Sequence, residues 1–256
     1  MNDDVSQERS ETDRDEKSFV SHLIELRMRL FRALACVLVM LLMLMPFSDQ
    51  LYLYLADPLL NSLPDSSSMI ATQVASPFLA PFKLTLFVAF FISVPYVFFQ
   101  MWAFVAPGLY REEKRLALPL MVSTSILFYA GVAFAYFAVF PLVFGFFTAI
   151  VPSGVTIMTD ISQYLDFVLK LFFAFGIAFE VPVATYLLVR SDLVTVETLV
   201  TKRPYVIVGA FSVGMLLTPP DIISQIMLAL PMWLLYEVGI KLCRWTIPKK
   251  NDEVES

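Results

Sequence analysis

Histidine, cysteine and charge are all scarce in this chain, and each shortage closes off a class of function. His22 is the only histidine, so His-based zinc sites and histidine-dependent triads have nothing to be built from. The two cysteines, Cys36 and Cys243, lie at or in apolar runs; they match no metal spacing and read as small apolar fillers. Gly209 and Gly214 have the separation of a phosphate-binding loop, but Met215 follows where lysine is required. Together with Ala210 they read instead as a close-packing face for another helix. No catalytic residue, metal or cofactor is expected, and so no enzyme. Charged residues are 16% of the 256, with a net charge of -5. With a pI near 4.9, nucleic acid is not an expected partner.

What the chain has in abundance is apolar length. Hydrophobic residues make up 58%, with 24 Phe, and the mean hydropathy is +0.73. A bilayer, in which each span needs roughly 20 apolar residues, accommodates that composition; a soluble core of this size does not. The fold class is therefore an all-α polytopic membrane protein. The acidic stretch 1–17 lacks an apolar core, so it is expected to be a disordered tail rather than a cleaved signal sequence. Residues 18–245 form one membrane domain and 246–256 a short polar tail.

The stretch 18–30 places Phe19, Leu23, Leu26 and Leu30 at helical spacing, predicting an amphipathic helix that leads into the first span. Its other side carries His22, Glu25 and Arg29, and Glu25 four residues before Arg29 is the favourable order for an intrahelical pair. Six spans follow, at about 30–47, 78–106, 116–151, 165–189, 205–217 and 222–242. The connection 48–80 is read as an outer loop without a basic residue, and 152–164, containing Asp160, as a second. The third span exceeds a hydrocarbon core of roughly 30 Å, so it must tilt, project, or kink at Pro119 or Pro141. The fifth is short, and turns at Thr218-Pro219-Pro220-Asp221 into the sixth, itself expected to be short.

Basic residues are heavily biased to one side. Arg9, Arg14, Lys17, Arg27, Arg29 and Arg32 precede the first span; Arg111, Lys114, Arg115, Arg190, Lys202 and Arg203 lie in two inner connections; Lys241, Arg244, Lys249 and Lys250 close the chain. Of the basic residues only Lys83 and Lys170 lie toward the other side. The positive-inside rule then puts both termini in the cytoplasm.

The charged island 111–115 joins the second and third spans as the tip of a hairpin. It is either a recognition element for something charged or a solvated loop that sets orientation. Inside the membrane, Asp166 and Lys170, and likewise Glu237 and Lys241, have four-residue spacing and can pair locally. Glu180 has no charge at such a distance. An intramembrane acid costs at least ~2.5–3.5 kcal/mol, so it carries protons, meets a polar group on another chain's helix, or pairs with a distant residue such as Gln100 or Gln225. Reading it as the ion-coupling residue of a secondary transporter for a small solute or ion is the alternative function, but no internal repeat supports it.

Five stretches, HLIELRMRL, MIATQVASPF, QMWAFVAPGLYREEKR, GIAFEVPV and KRPYVIVGAFSVGMLLTPPD, together resemble the TatC family, the multispanning receptor subunit of the twin-arginine protein translocase. The resemblance covers about 22–242 and implies six helices with both ends cytoplasmic, arranged as a curved helical wall in the bacterial inner membrane. It implies recognition of folded precursors whose signal peptides carry two adjacent arginines, assembly in several copies with TatB-like and TatA-like single-span subunits, and transport driven by the proton-motive force. It assigns Glu25 and Glu113 to the signal-peptide site, with Leu26, Arg27 and Phe104 beside them; register against Lys114 and Arg115 selects Glu113 over Glu112. Glu180 matches the polar residue of the fourth span, and Pro58 and Asp221 match outer-face positions. The chemistry suits that role, because a guanidinium meets a carboxylate through two parallel hydrogen bonds and an ammonium does not.

Overall fold

The computed structural model describes residues 2–60, 68–105, 117–150, 158–218 and 221–246. Its helices are α1 (Asn2–Leu44), α2 (Ser48–Leu60), α3 (Ser76–Val105), α4 (Ala117–Phe134), α5 (Phe140–Ala149), α6 (Ile161–Ala178), α7 (Val181–Arg190), α8 (Val196–Thr201), α9 (Arg203–Leu217) and α10 (Ile222–Thr246). Five stretches are long and apolar enough to cross a membrane: Ser21–Leu55, Ser76–Phe104, Leu118–Ala149, Ile161–Arg190 and Ile222–Thr246. The fifth expected span, α9, has 15 residues and rises only ~22 Å. The sixth is not short: α10 has 25 residues and rises ~37 Å, because its helix continues past the polar Lys241 and Arg244.

Two other expectations change. α1 extends back to Asn2 through the stretch read as disordered; the acids at its start complement the positive end of a helix dipole. The first outer connection holds a helix, α2, entered through a 3-10 turn at Met45–Phe47. Pro46 interrupts the hydrogen-bond ladder there without ending the helical path.

The chain forms two compact units, one of Met1–Pro46 with Thr85–Met121, the other of Phe47–Leu84 with Val122–Ser256. In the first, Leu30, Phe31 and Leu34 of α1 are each more than 60% exposed. Apolar side chains turned outward on this scale belong to a protein whose solvent is lipid.

The second unit is organised by prolines and glycines. Pro141 has no N–H to offer the carbonyl four residues back, and its ring would crowd that carbonyl. The chain widens into a π turn at Ala135–Val139, where the Phe140 N–H reaches the Ala135 carbonyl. Of the kinks expected in the third span, this is the one at Pro141. Pro182 acts likewise on the fourth span, which breaks at Phe179 and Glu180 into α6 and α7. α4 lies so close to α6 that a Cβ at Gly131 would collide with the Phe175 carbonyl, and one at Gly239 of α10 with the Thr185 hydroxyl of α7. An aromatic ladder links α5 to α6, with Phe144 at 5.8 Å from Tyr164 and 5.6 Å from Phe167. On α9, Ala210 is buried and Gly214 meets Gln225 of α10, but the space outside Gly209 is open. Two of the three small residues thus form the expected packing face. Gly209 lies on another face of the helix.

The outer connections are tied to each other. β1 (Ser68–Ile70) pairs in parallel with β2 (Met158–Asp160), Ile70 opposite Asp160. Asp160 then caps α6, its Oδ1 accepting from the Ser162 and Gln163 amides, while Oδ2 accepts from the amide and hydroxyl of Thr72. The Thr72 hydroxyl first, then the Thr72 and Gln163 amides, hold this carboxyl down at about 2 against the effect of burial, with the Ser162 amide adding a smaller part. A folded pKa below the ordinary 3.8 gives stability that is present in full above that value and lost as pH falls through about 2. Amide protection of Thr72, Ser162 and Gln163 should therefore hold from pH 7 to 4 and fall only on approach to pH 2. Loss already near pH 5 would show that the clip does not depend on this carboxylate.

Candidate functional site

α1 and the last turns of α3 build one polar strip. His22, Glu25 and Arg29 recur at three- and four-residue spacing and so share a face of α1. Gln100 and Phe104, four apart, share a face of α3. The strip joins these faces. The imidazole of His22 stacks on Phe104, ring centres 4.2 Å apart and 19° from parallel, and His22 Nδ1 lies 4.0 Å from Glu25 Oε2. Arg29 donates from Nε (2.9 Å) and Nη2 (2.5 Å) to Glu25 Oε1, and from Nη1 (3.4 Å) to Gln100 Oε1. Gln100 is buried, whereas the side chains of Glu25 and Arg29 keep 37% and 21% of their exposure. The carboxylate is therefore reachable from outside while already holding a guanidinium.

The Glu25–Arg29 pair was legible from spacing. The reach of Arg29 to Gln100 and the stacking of His22 on Phe104 were not, although the 22/25/29 and 100/104 spacings marked both faces. Leu26 and Arg27 are exposed, next to the strip in sequence and on another side of α1. Glu113 and Glu112 lie outside the described residues, so the strip holds the first of the two expected carboxylates.

The remaining candidates lie in the other unit. Glu180 occupies the break between α6 and α7, and its Oε1 is enclosed with no hydrogen-bond partner among the described residues. The backbone of Phe128 hydrogen-bonds the carboxylate. Asp221 starts α10: its Oδ1 accepts from the Ser224 amide at 2.7 Å, the pattern of a helix N-cap. Asp221 Oδ2 and Ser224 Oγ are buried without a partner among the described residues. The Pro-Pro-Asp sequence before an apolar run was the signal for that cap. Pro58 lies in α2, with its side chain outside the described part.

Both local ion pairs expected within the spans are replaced by pairs between helices. Asp166 accepts from Lys83 of α3 at 2.5 Å, and Lys170 is exposed instead. Glu237 accepts from Arg203, at the start of α9, at 2.6 Å; its side chain is only 16% exposed, and a guanidinium is more cheaply desolvated there than the Lys241 ammonium. Tyr236 beside it donates to the Leu199 carbonyl at 2.7 Å, fixing α8 to α10 over a core of Val189, Leu199, Ile240 and Cys243.

Comparison with known proteins gives one answer. The family model described as Sec-independent protein translocase protein (TatC) matches residues 21–231. The chain is 58% identical over 232 residues to Sec-independent protein translocase protein TatC of Azotobacter chroococcum mcd 1, covering 91% of each. It is 51% identical to the protein of that name from Escherichia coli strain K12, covering 94% of this chain and 93% of the other. A crystal structure of the twin-arginine translocase receptor TatC superposes with a TM-score of 0.79 at 37% identity, over 88% of this chain and 98% of that one. A second, in DDM, gives 0.81 at 36% identity, over 87% and 99%. With the family model spanning most of its length and relatives above half identity, the chain belongs to the TatC family of Sec-independent protein translocase proteins.

Proposed function

We propose that this protein-transport subunit, which is not an enzyme, receives twin-arginine signal peptides of folded precursors at its cytoplasmic face. Glu25 and Glu113 each take one arginine, with Leu26, Arg27 and Phe104 beside them. The observation that carries the reading is that Glu25 already holds a guanidinium through two donors, at 2.9 and 2.5 Å, beside an aromatic ring suited to packing against peptide. The basic bias supports six spans with both termini in the cytoplasm, in the inner membrane of a bacterium. On this reading several copies assemble with TatB-like and TatA-like single-span subunits, and the proton-motive force drives transport. Glu180 meets a polar group of a partner helix, and Pro58 and Asp221 serve at the outer face. A short α9 would thin the bilayer beside it, easing a passage that has no permanent pore. Membership of the family displaces the secondary-transporter alternative.

The test is binding of a twin-arginine peptide to the purified protein. A hydrogen bond to a charged group is worth ~1.5–3 kcal/mol, so Glu25→Gln and Glu113→Gln should each weaken binding roughly ten- to a hundredfold. Both should also blunt the preference for Arg-Arg over Lys-Lys, while Glu112→Gln changes little. Damage by Glu112→Gln alone would move the second carboxylate by one residue. Wild-type binding in all three variants would sink the carboxylate site.

A further inference from the structure

The Glu25 carboxylate is not vacant. Arg29 fills Oε1 with two of its donors and spends a third on Gln100, so one guanidinium bridges acceptors on α1 and α3. Being only one helical turn away, Arg29 cannot leave by diffusion, and it stands at high effective concentration beside the carboxylate. Any cation arriving at Glu25 must therefore compete with a guanidinium already in place. We propose that Arg29 is a resident occupant of the recognition carboxylate, an internal arginine that the incoming peptide's arginine displaces, and that this exchange sets the preference for arginine over lysine. The inference rests on Glu25 being the peptide site.

The chemistry of the exchange separates ligands by geometry. An arriving guanidinium restores the fork-shaped contact that Arg29 gives up, so little is lost in the exchange. An ammonium offers a point charge with no planar fork and stays more strongly hydrated, so it exchanges at a loss. The displaced Arg29 is not stranded. The Gln100 oxygen, buried and 3.4 Å from Nη1 in the empty site, lies at the long end of hydrogen-bonding distance and can be approached more closely once Glu25 is released. Binding at α1 would then tighten a contact to α3.

Removing the occupant should thus favour ligands, and weak ones most. In Arg29→Gln, the Arg-Arg peptide is expected to bind about three- to tenfold more tightly. The Lys-Lys peptide should gain more, so the Arg-Arg preference shrinks. Arg29→Lys keeps the charge but loses the fork, and should shrink the preference in the same direction; it also serves should Arg29→Gln fail to fold. Arg32→Gln, an exposed residue one turn further on, removes the same charge and should leave the preference unchanged. In a Glu25→Gln background, Arg29→Gln should have no further effect on the preference.

The outcomes separate cleanly. If Glu25→Gln binds like wild type, the underlying site is wrong. If Glu25→Gln weakens binding but Arg29→Gln and Arg29→Lys leave the preference intact, the site stands and the resident-occupant role falls. Equal shifts from Arg32→Gln and Arg29→Gln would likewise overturn it, in favour of unspecific repulsion.

Discussion

Glu180→Ala is expected to abolish export of a folded twin-arginine precursor, while Glu180→Gln keeps a measurable part of it. An acid placed at depth in a span costs ~2.5–3.5 kcal/mol to insert, and an enclosed oxygen without a partner costs a further ~1–3 kcal/mol. Nothing among the described residues meets Oε1. The two glutamines that might have done so are engaged elsewhere, Gln225 on the Phe211 carbonyl at 2.9 Å and Gln100 on Arg29. A partner helix carrying a polar side chain would supply what is missing, and glutamine would still hydrogen-bond to it. Export of a reporter precursor and co-purification of single-span partners from mild detergent should fall together in Glu180→Ala. Equal and complete loss in both variants points to a titrating proton carrier instead. Full export in both removes Glu180 from the mechanism.

The second large effect concerns folding. Gly131→Ala and Gly239→Ala should sharply lower the yield of folded protein in detergent, each destabilising by ~1–3 kcal/mol or more. At Gly131 the obstacle is the backbone carbonyl of Phe175, which no side-chain rotation removes. At Gly239 it is the Thr185 hydroxyl, with Pro182 Cα 3.1 Å away. Gly145 and Gly209 provide internal controls, since an added Cβ meets nothing within 4 Å at either. Gly145→Ala and Gly209→Ala should be neutral or gain a few tenths of a kcal/mol up to ~1 kcal/mol from helix propensity. Thermal unfolding followed by gel filtration reads all four. Similar behaviour of the four variants would mean that close helix approach does not limit stability here.

These cases show what the sequence could and could not convey. Apolar length marked the membrane helices, because a bilayer imposes a length that a run of residues must meet. Pro141 and Pro182 marked the interruptions, because a missing N–H acts locally. Glu25 with Arg29 was legible for the same reason, four residues being one helical turn. Asp166 with Lys83, separated by 83 residues, and Glu237 with Arg203, separated by 34, were not. Spacing offered each acid a lysine on its own helix, and packing between helices supplied a different cation. The parallel pairing of β1 with β2 was hidden similarly, since each strand contributes three residues and their partnership depends on connections that look like ordinary loops. Asp160 was the readable clue, an acid before an apolar run with Gln163 at the capping-box position.

The π turn at Ala135–Val139 also makes this chain sensitive to length at one point and not merely to composition. Such a turn holds one residue more than an α-helix requires. Deleting any one of Tyr136, Phe137 or Ala138 would swivel everything that follows by ~100° about the axis, without changing the character of a single remaining side chain. Phe140 and Phe144 would swing off Tyr164 and Phe167 and point into lipid. A single-codon deletion there is thus a change of phase, and an insertion elsewhere in the same helix pair would be the natural kind of change to restore it.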